Sequence, residues 1–253
     1  MLLEARHSLL EARHVTKAFG AFKAVDDASA TVEKGEILGL IGPNGAGKST
    51  FFNCLTGDTF PTSGAVFFEG REVTSLPPEA RARLGIARSF QVPLTFESMS
   101  VIDNVMIGAF LRTSDAAKAR AKAREVIDRV GLGGLASTPA KSLGTPGRKR
   151  LEIARALASE PKVLLLDEAM AGLTPTEVRS AIELVRRIHA SGITLVIVEH
   201  IMEVIVSLAS RVIVFHQGKE IARGTPQEVT RNERVIEAYL GRRQARQMAG
   251  GKA

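Results

Sequence analysis

Gly42-Pro43-Asn44-Gly45-Ala46-Gly47-Lys48-Ser49-Thr50 stands between a strand-like apolar run, residues 36–41, and a helix-like run, residues 48–56. In that setting the glycines let successive backbone N–H groups turn inward around phosphate oxygens, and the following helix presents the positive end of its dipole. Lys48 has the reach for β- and γ-phosphates, and the Ser49 hydroxyl is a suitable ligand for Mg²⁺. A glycine-rich turn that merely precedes a lysine would need neither the strand before it nor the helix after it. The stretch therefore predicts a nucleoside-triphosphate site at a strand-to-helix junction, and with it an α/β fold.

Upstream, residues 9–16 and 28–33 alternate apolar and polar side chains, as do residues 65–69 downstream, which predicts a small antiparallel sheet with Phe19-Gly20 in one of its loops. Leu2-Leu3-Glu4-Ala5-Arg6-His7 recurs as Leu9-Leu10-Glu11-Ala12-Arg13-His14, and only the second copy leads into a strand. Residues 1–8 thus read as an appended lead-in, expected to be poorly ordered. Gly57 ends the helix after the phosphate loop, and Pro61-Thr62-Ser63-Gly64 turns the chain back. From about residue 93 to 159 the pattern is helical and strand-poor, as in an inserted helical subdomain. Residues 163–166, 193–198 and 212–215 are short apolar runs between helical stretches, the pattern of buried parallel strands. Thr174-Pro175-Thr176-Glu177 and Thr225-Pro226-Gln227-Glu228 each combine an N-cap, a proline at the first helical position and a glutamate at the third. Residues 9–241 read as one domain and residues 242–253 as a basic polar tail.

Of the 253 residues, 45% are hydrophobic and 24% charged, ordinary for a globular protein. No apolar run approaches the roughly 20 residues of a bilayer helix, and the first residues are too short and too charged for a secretory signal. The expected compartment is the cytoplasm. Cys54 is the single cysteine, so an internal disulfide is excluded and the thiol reads as core filler. The net charge of +7 could serve nucleic acid or an anionic surface, yet one tyrosine and no tryptophan leave little for base stacking. An anionic membrane surface fits that charge better.

Val163-Leu164-Leu165-Leu166-Asp167-Glu168 is an apolar strand ending in two acids. The carboxyl ends of parallel strands gather at the ligand crevice, so Asp167 is expected near the triphosphate and its Mg²⁺. Glu168 is placed to orient, or take a proton from, the water that attacks the γ-phosphate. Glu199-His200 ends another apolar strand in the same manner, and His200 is expected to face the same crevice. Gln91 follows Arg88-Ser89-Phe90 at the entrance to the helical insert, where by itself it would mean little.

The ordered set of residues 42–50, Gln91, Leu151-Glu152-Ile153-Ala154-Arg155-Ala156-Leu157, residues 163–168, Ala171-Gly172-Leu173-Thr174-Pro175 and His200 resembles the nucleotide-binding subunits of ATP-binding cassette (ABC) transporters, over about residues 9–240. The fold this implies is a RecA-like P-loop NTPase core with an N-terminal antiparallel β subdomain and an inserted α-helical subdomain. Ala171-Gly172-Leu173 and Glu237-Ala238-Tyr239-Leu240-Gly241 most resemble the ATP-binding proteins of bacterial branched-chain or hydrophobic amino-acid importers. Related subunits serve urea, amide, aromatic-acid and lipid systems, and a weakly hydrolysing regulatory ATP binder is a further alternative.

By this resemblance residues 42–50 are the Walker A loop, binding ATP with Mg²⁺. Asp167 ends the Walker B strand and Glu168 is the catalytic carboxylate. Gln91 watches the metal and attacking water, His200 contacts the γ-phosphate, and Phe19 stacks on adenine, for which a flat apolar platform is independently suited. Residues 171–174 would cross to a second ATPase subunit. Two transmembrane permease subunits are implied as partners, received near residues 91–105, with a periplasmic substrate-binding protein acting indirectly and nucleic acid excluded. The implied location is peripheral, on the inner face of the bacterial plasma membrane.

One departure stands out. Where the family has Leu-Ser-Gly-Gly-Gln, facing the partner's nucleotide, this chain has Leu143-Gly144-Thr145-Pro146-Gly147, ahead of a helix expected over residues 148–159. The serine hydroxyl is missing and Pro146 removes an N–H. Losing a hydrogen bond to a charged group costs about 1.5–3 kcal/mol, enough to weaken one nucleotide site. The expectation is a dimer, with a heterodimer favoured over a homodimer, in which this chain's Glu168 and His200 work opposite an intact partner loop.

Overall fold

The computed structural model describes residues 8–91 and 94–240. Residues 1–7 of the expected lead-in, residue 241 with the tail 242–253, and two residues of the expected permease groove lie outside them; Ser8, read as the end of the lead-in, is instead the first residue of a strand, where it pairs with Glu33. The chain divides into two compact units, residues 1–76 with 196–253, and residues 77–195.

In the first unit, β1 (Ser8–Phe19) pairs antiparallel with β2 (Phe22–Glu33). After β3 (Ile37–Ile41) and α1 (Lys48–Thr56), β4 (Ser63–Phe68) pairs with the other edge of β1 and β5 (Arg71–Glu72) continues from it, giving the order β2-β1-β4-β5. β1 and β2 run further than their alternation suggests, because register shifts near His14 (φ 50°) and Asp27 (φ 59°) interrupt the period without ending the pairing. Phe19 is therefore the last residue of β1, opposite Phe22, and not a loop residue as expected.

The second unit begins with α2 (Pro78–Leu84) and β6 (Ile86–Arg88). Three helices follow, α3 (Val101–Ala109), α4 (Ala116–Arg129) and α5 (Thr145–Ala158), then β7 (Val163–Asp167), α6 (Pro175–Ala190) and β8 (Thr194–Val198), within which the division between the units falls. β6 runs parallel to β7, with Ile86 opposite Val163 and Arg88 opposite Leu165. Every residue of β7 is buried, as its unbroken apolar run requires. The Thr174–Glu177 capping box forms at the start of α6. The Thr174 N–H and hydroxyl, both donating to it, hold the Glu177 carboxyl below the ordinary range.

The chain then returns to the first unit with α7 (Met202–Leu208), β9 (Arg211–His216), β10 (Lys219–Gly224), α8 (Pro226–Arg231) and α9 (Glu233–Leu240). β9 lies parallel to β3 and antiparallel to β10. Ile41, at the end of β3, packs into one cluster with Ile205, Val212, Val214, Val229 and Val235, so the residue before the phosphate loop is fixed by strands and helices on the far side of the chain. No described helix is long and apolar enough to cross a membrane.

Candidate functional site

The phosphate loop lies in the first unit. Gly42 leaves β3 at φ 150°, where a Cβ would stand 2.2 Å from the Phe215 carbonyl oxygen, and Gly47 caps α1 at φ 98°, where a Cβ would meet the Ala24 carbonyl oxygen at 2.3 Å. Backbone of β9 and β2 thus occupies the space any side chain would need. The loop is tied down further by the Gly218 N–H, which donates to the Ala46 carbonyl at 2.9 Å, while the Asp26 N–H donates to the Gly218 carbonyl at 2.8 Å. Asn44, Gly45 and Ser49 face outward. Lys48 is buried and its Nζ donates to the Gly42 and Pro43 carbonyls at 2.8 and 3.0 Å, an ammonium held at the mouth of a concavity of backbone N–H groups. No acidic residue occupies the first turn of α1, so the positive end of its dipole is not offset there.

On the same unit Phe19 and Phe22 are 56% and 66% exposed, which leaves their rings open as flat apolar surfaces. Lys17 Nζ lies 5.1 Å from the Phe19 centroid. Glu199 is fully buried and His200 exposed at the end of β8. The Tyr239 phenol is pushed above its ordinary range by burial and pulled back by the Gly42 N–H, which brings α9 against the first glycine of the loop.

Asp167, Glu168 and Gln91 lie in the second unit. Pairing of β6 with β7 places the residues after Arg88 beside those after Leu165: the Ser89 N–H donates to the Leu165 carbonyl at 2.8 Å, and the Asp167 N–H donates to Ser89 Oγ at 3.2 Å. Arg88 reaches the Asp167 carboxylate at 3.6 Å. Gln91 Nε2 then donates to Glu168 Oε2 at 2.7 Å. Glu168 itself sits at φ 45°, a left-handed conformation that costs a side-chain-bearing residue about 1–2 kcal/mol. Its carbonyl accepts from the Ala171 N–H and from Lys149 Nζ, both at 3.1 Å. A strained carboxylate held by an amide at hydrogen-bond distance is suited to orienting a water.

The departure at residues 143–147 takes a specific form. α5 begins at Thr145, three residues earlier than expected, with Gly144 as N-cap and Pro146 inside the first turn. Proline is tolerated there because the first N–H groups of a helix have no intrahelical acceptor. Gly144 supplies no side-chain cap.

The family model for ABC transporters matches residues 25–171, and that for the branched-chain amino acid ATP-binding cassette transporter matches residues 219–245. The chain belongs to the ABC transporter ATP-binding proteins. This ATPase is 37% identical over 249 residues to the high-affinity branched-chain amino acid transport ATP-binding protein LivG of Salmonella typhimurium, covering 92% of this chain and 98% of that one. It is also 37% identical over 235 residues to the lipopolysaccharide export system ATP-binding protein LptB of Acidithiobacillus ferridurans, covering 92% and 97%. The ADP conformation of an ATP-binding cassette of an ABC transporter matches it with a TM-score of 0.84 at 31% identity, over 92% of this chain and 99% of that one. The fold is accordingly that of ABC ATPases, mixed α/β with an antiparallel β subdomain and a helical subdomain, and the ATPase binds ATP as part of a transporter complex.

Of the residues singled out from the sequence, Gly42 to Thr50, Phe19 and His200 lie in the first unit, and Gln91, Asp167, Glu168 and residues 143–147 in the second. Gln91 and Glu168 are brought into direct contact. Lys149 was not singled out, and Glu152 only as one letter of the run 151–157, with no role of its own. Both are buried polar residues of α5, and their only sequence signal is their place among apolar residues on a helix closed in on most sides.

Proposed function

We propose that the chain is the ATP-hydrolysing subunit of an importer for branched-chain or other hydrophobic amino acids. The C-terminal match to the branched-chain cassette model supports the substrate class, and likeness to the LivG protein of Salmonella typhimurium supports it further. The equal identity to a lipopolysaccharide-export ATPase makes a lipid system the reading to test against.

Residues 9–241 act as one nucleotide-binding domain, with residues 93–159 as its helical part. Within it the N–H groups of residues 42–50 and Lys48 hold the phosphates of ATP, Phe19 offers its ring to adenine, and Glu168 orients the attacking water through a carboxylate that Gln91 keeps in place. His200 contacts the γ-phosphate. The residues suit Mg²⁺: magnesium beside a triphosphate takes one or two protein oxygens and keeps phosphate and water as its other ligands. The exposed Ser49 hydroxyl, the Asp167 carboxylate and the Gln91 amide oxygen are donors of that kind, and no group of three metal-ligating side chains is needed or found among the described residues. Bound there, the ion would neutralise charge on the β- and γ-oxygens.

The partners are a second ATPase subunit, two transmembrane permease subunits and, indirectly, a periplasmic binding protein. The second ATPase is a different chain by preference, because residues 143–147 lack the serine; a homodimer is the other arrangement. Exposed Leu94 and Phe96, ahead of α3, suit the permease contact, which puts the protein on the inner face of the plasma membrane. The 2.7 Å contact between Gln91 and Glu168 carries the hydrolytic part of this reading. Reconstituting the chain with its transmembrane permease subunits, and measuring ATP hydrolysis with the binding protein loaded with leucine, urea, an aromatic acid or lipid, tests the rest. Stimulation by leucine is expected, and stimulation confined to another class would overturn the assignment.

A further inference from the structure

α5 touches both ends of the hydrogen bond between Gln91 and Glu168. Lys149 Nζ donates to the Glu168 carbonyl at 3.1 Å. Glu152 Oε1 accepts from the Phe90 N–H at 3.1 Å and the Leu94 N–H at 3.4 Å, one residue before and three residues after Gln91. Lys149 and Glu152 are three residues apart and so share a face of the helix. They are 7% and 3% exposed, and charged side chains are kept at that burial only where the hydrogen bonds they make offset the loss of water. The same helix starts at Thr145 with Gly144 as its N-cap, so both grips and the altered loop belong to one 14-residue rod. A cleft of about 160 Å³, lined in part by Pro146, Ile153, Met170 and Leu184, runs beside it and leaves the first turn room to shift.

We propose that α5 is a splint between the two nucleotide sites of the dimer, in which Lys149 and Glu152 position Glu168 and Gln91 and carry movement of the residue 143–147 loop to that hydrolytic pair. This rests on the roles given above to Glu168, Gln91 and the loop. Displacement of the first turn of α5 by the partner's nucleotide is passed through Lys149 to the Glu168 carbonyl and through Glu152 to the backbone around Gln91. The carboxylate and the amide that holds it then move in register. Both are positioning residues acting through other side chains.

The test uses the reconstituted transporter and separates kcat from KM. Lys149→Met is expected to lower kcat about tenfold, the scale of one lost hydrogen bond from a charged donor, with KM for ATP within about twofold of the parent. Lys149→Arg, which keeps a donor, recovers most of that loss. Glu152→Ala shows the same split, and Glu152→Gln, which keeps the acceptor oxygen, loses less. Combined with Glu168→Gln, Lys149→Met slows turnover no further, because it acts through the group already removed. An unchanged kcat in Lys149→Met, a loss that falls in KM, or a loss that multiplies onto that of Glu168→Gln would overturn the proposal. Should Lys149→Met fail to assemble, equal kcat in Glu152→Ala and Glu152→Gln overturns it instead. Near-normal turnover in Glu168→Gln alone would overturn the underlying role of Glu168, a distinct result.

Discussion

Gly47→Ala perturbs the phosphate loop at one of its two tight points. The new Cβ starts 2.3 Å from the Ala24 carbonyl oxygen, and that distance must open to at least 3.0 Å. Neither side can yield cheaply, since Ala24 is in β2 and Gly47 is the N-cap of α1. The left-handed conformation adds about 1–2 kcal/mol for any residue with a side chain, which for a chain this long lowers the melting midpoint by about 2–8 °C. The displacement also turns loop N–H groups away from the phosphates. Two such bonds to charged oxygens, at about 1.5–3 kcal/mol each, correspond to a loss of ATP affinity of about a hundredfold or more. Gly45→Ala is the control: Gly45 has φ 75°, but a Cβ there meets nothing within 4 Å, so it carries the strain without the collision. Fluorescent-nucleotide titration alongside thermal melting separates the two. Equal ATP affinities in Gly47→Ala and Gly45→Ala would refute the claim that contact with β2 shapes the loop.

Gly144→Ser restores a hydroxyl at the N-cap of α5, where the added Cβ meets only Pro146 Cδ at 3.9 Å and the backbone is already extended. Since Pro146 has no N–H, the new oxygen accepts from Gly147; the expected outcome in a single-turnover assay of the assembled transporter is faster hydrolysis at the partner's site, with the melting midpoint raised slightly. Glu152 gives a pH signature. Desolvation pushes its carboxyl above the ordinary 4.5, against the opposing pull of the Phe90 and Leu94 N–H groups and of Arg155 and Lys149. Its contribution to stability is therefore full below pH 4.5 and is lost as pH rises through the raised value. Denaturation midpoints should shift in favour of Glu152→Gln across that window and run parallel above it, and a difference independent of pH would contradict the assignment.

The parts of the site legible in the sequence were those whose chemistry is local. The spacing of Gly42, Gly45 and Gly47 before Lys48 is a backbone requirement written in consecutive residues, and the two capping boxes are four-residue devices that form as read. The start of α5 was not legible, because Pro146 reads as a helix breaker until its place in the first turn is known. The extent of β1 and β2 was hidden by register shifts that break the alternation. The contacts of Lys149 and Glu152 escaped for a different reason. Charged residues on a helix normally mark its solvated face, and only the chain folded across α5 shows that these two are enclosed and bonded to backbone distant in sequence.

The central claim is that Glu168, held by Gln91, is the group on which ATP hydrolysis by this chain depends. Steady-state phosphate release from the reconstituted transporter, compared between the parent and Glu168→Gln with ATP binding measured in parallel, tests it most directly. Retained ATP binding with turnover lowered by about a hundredfold or more, the scale of one lost general base, is the predicted result, and turnover near that of the parent would contradict it.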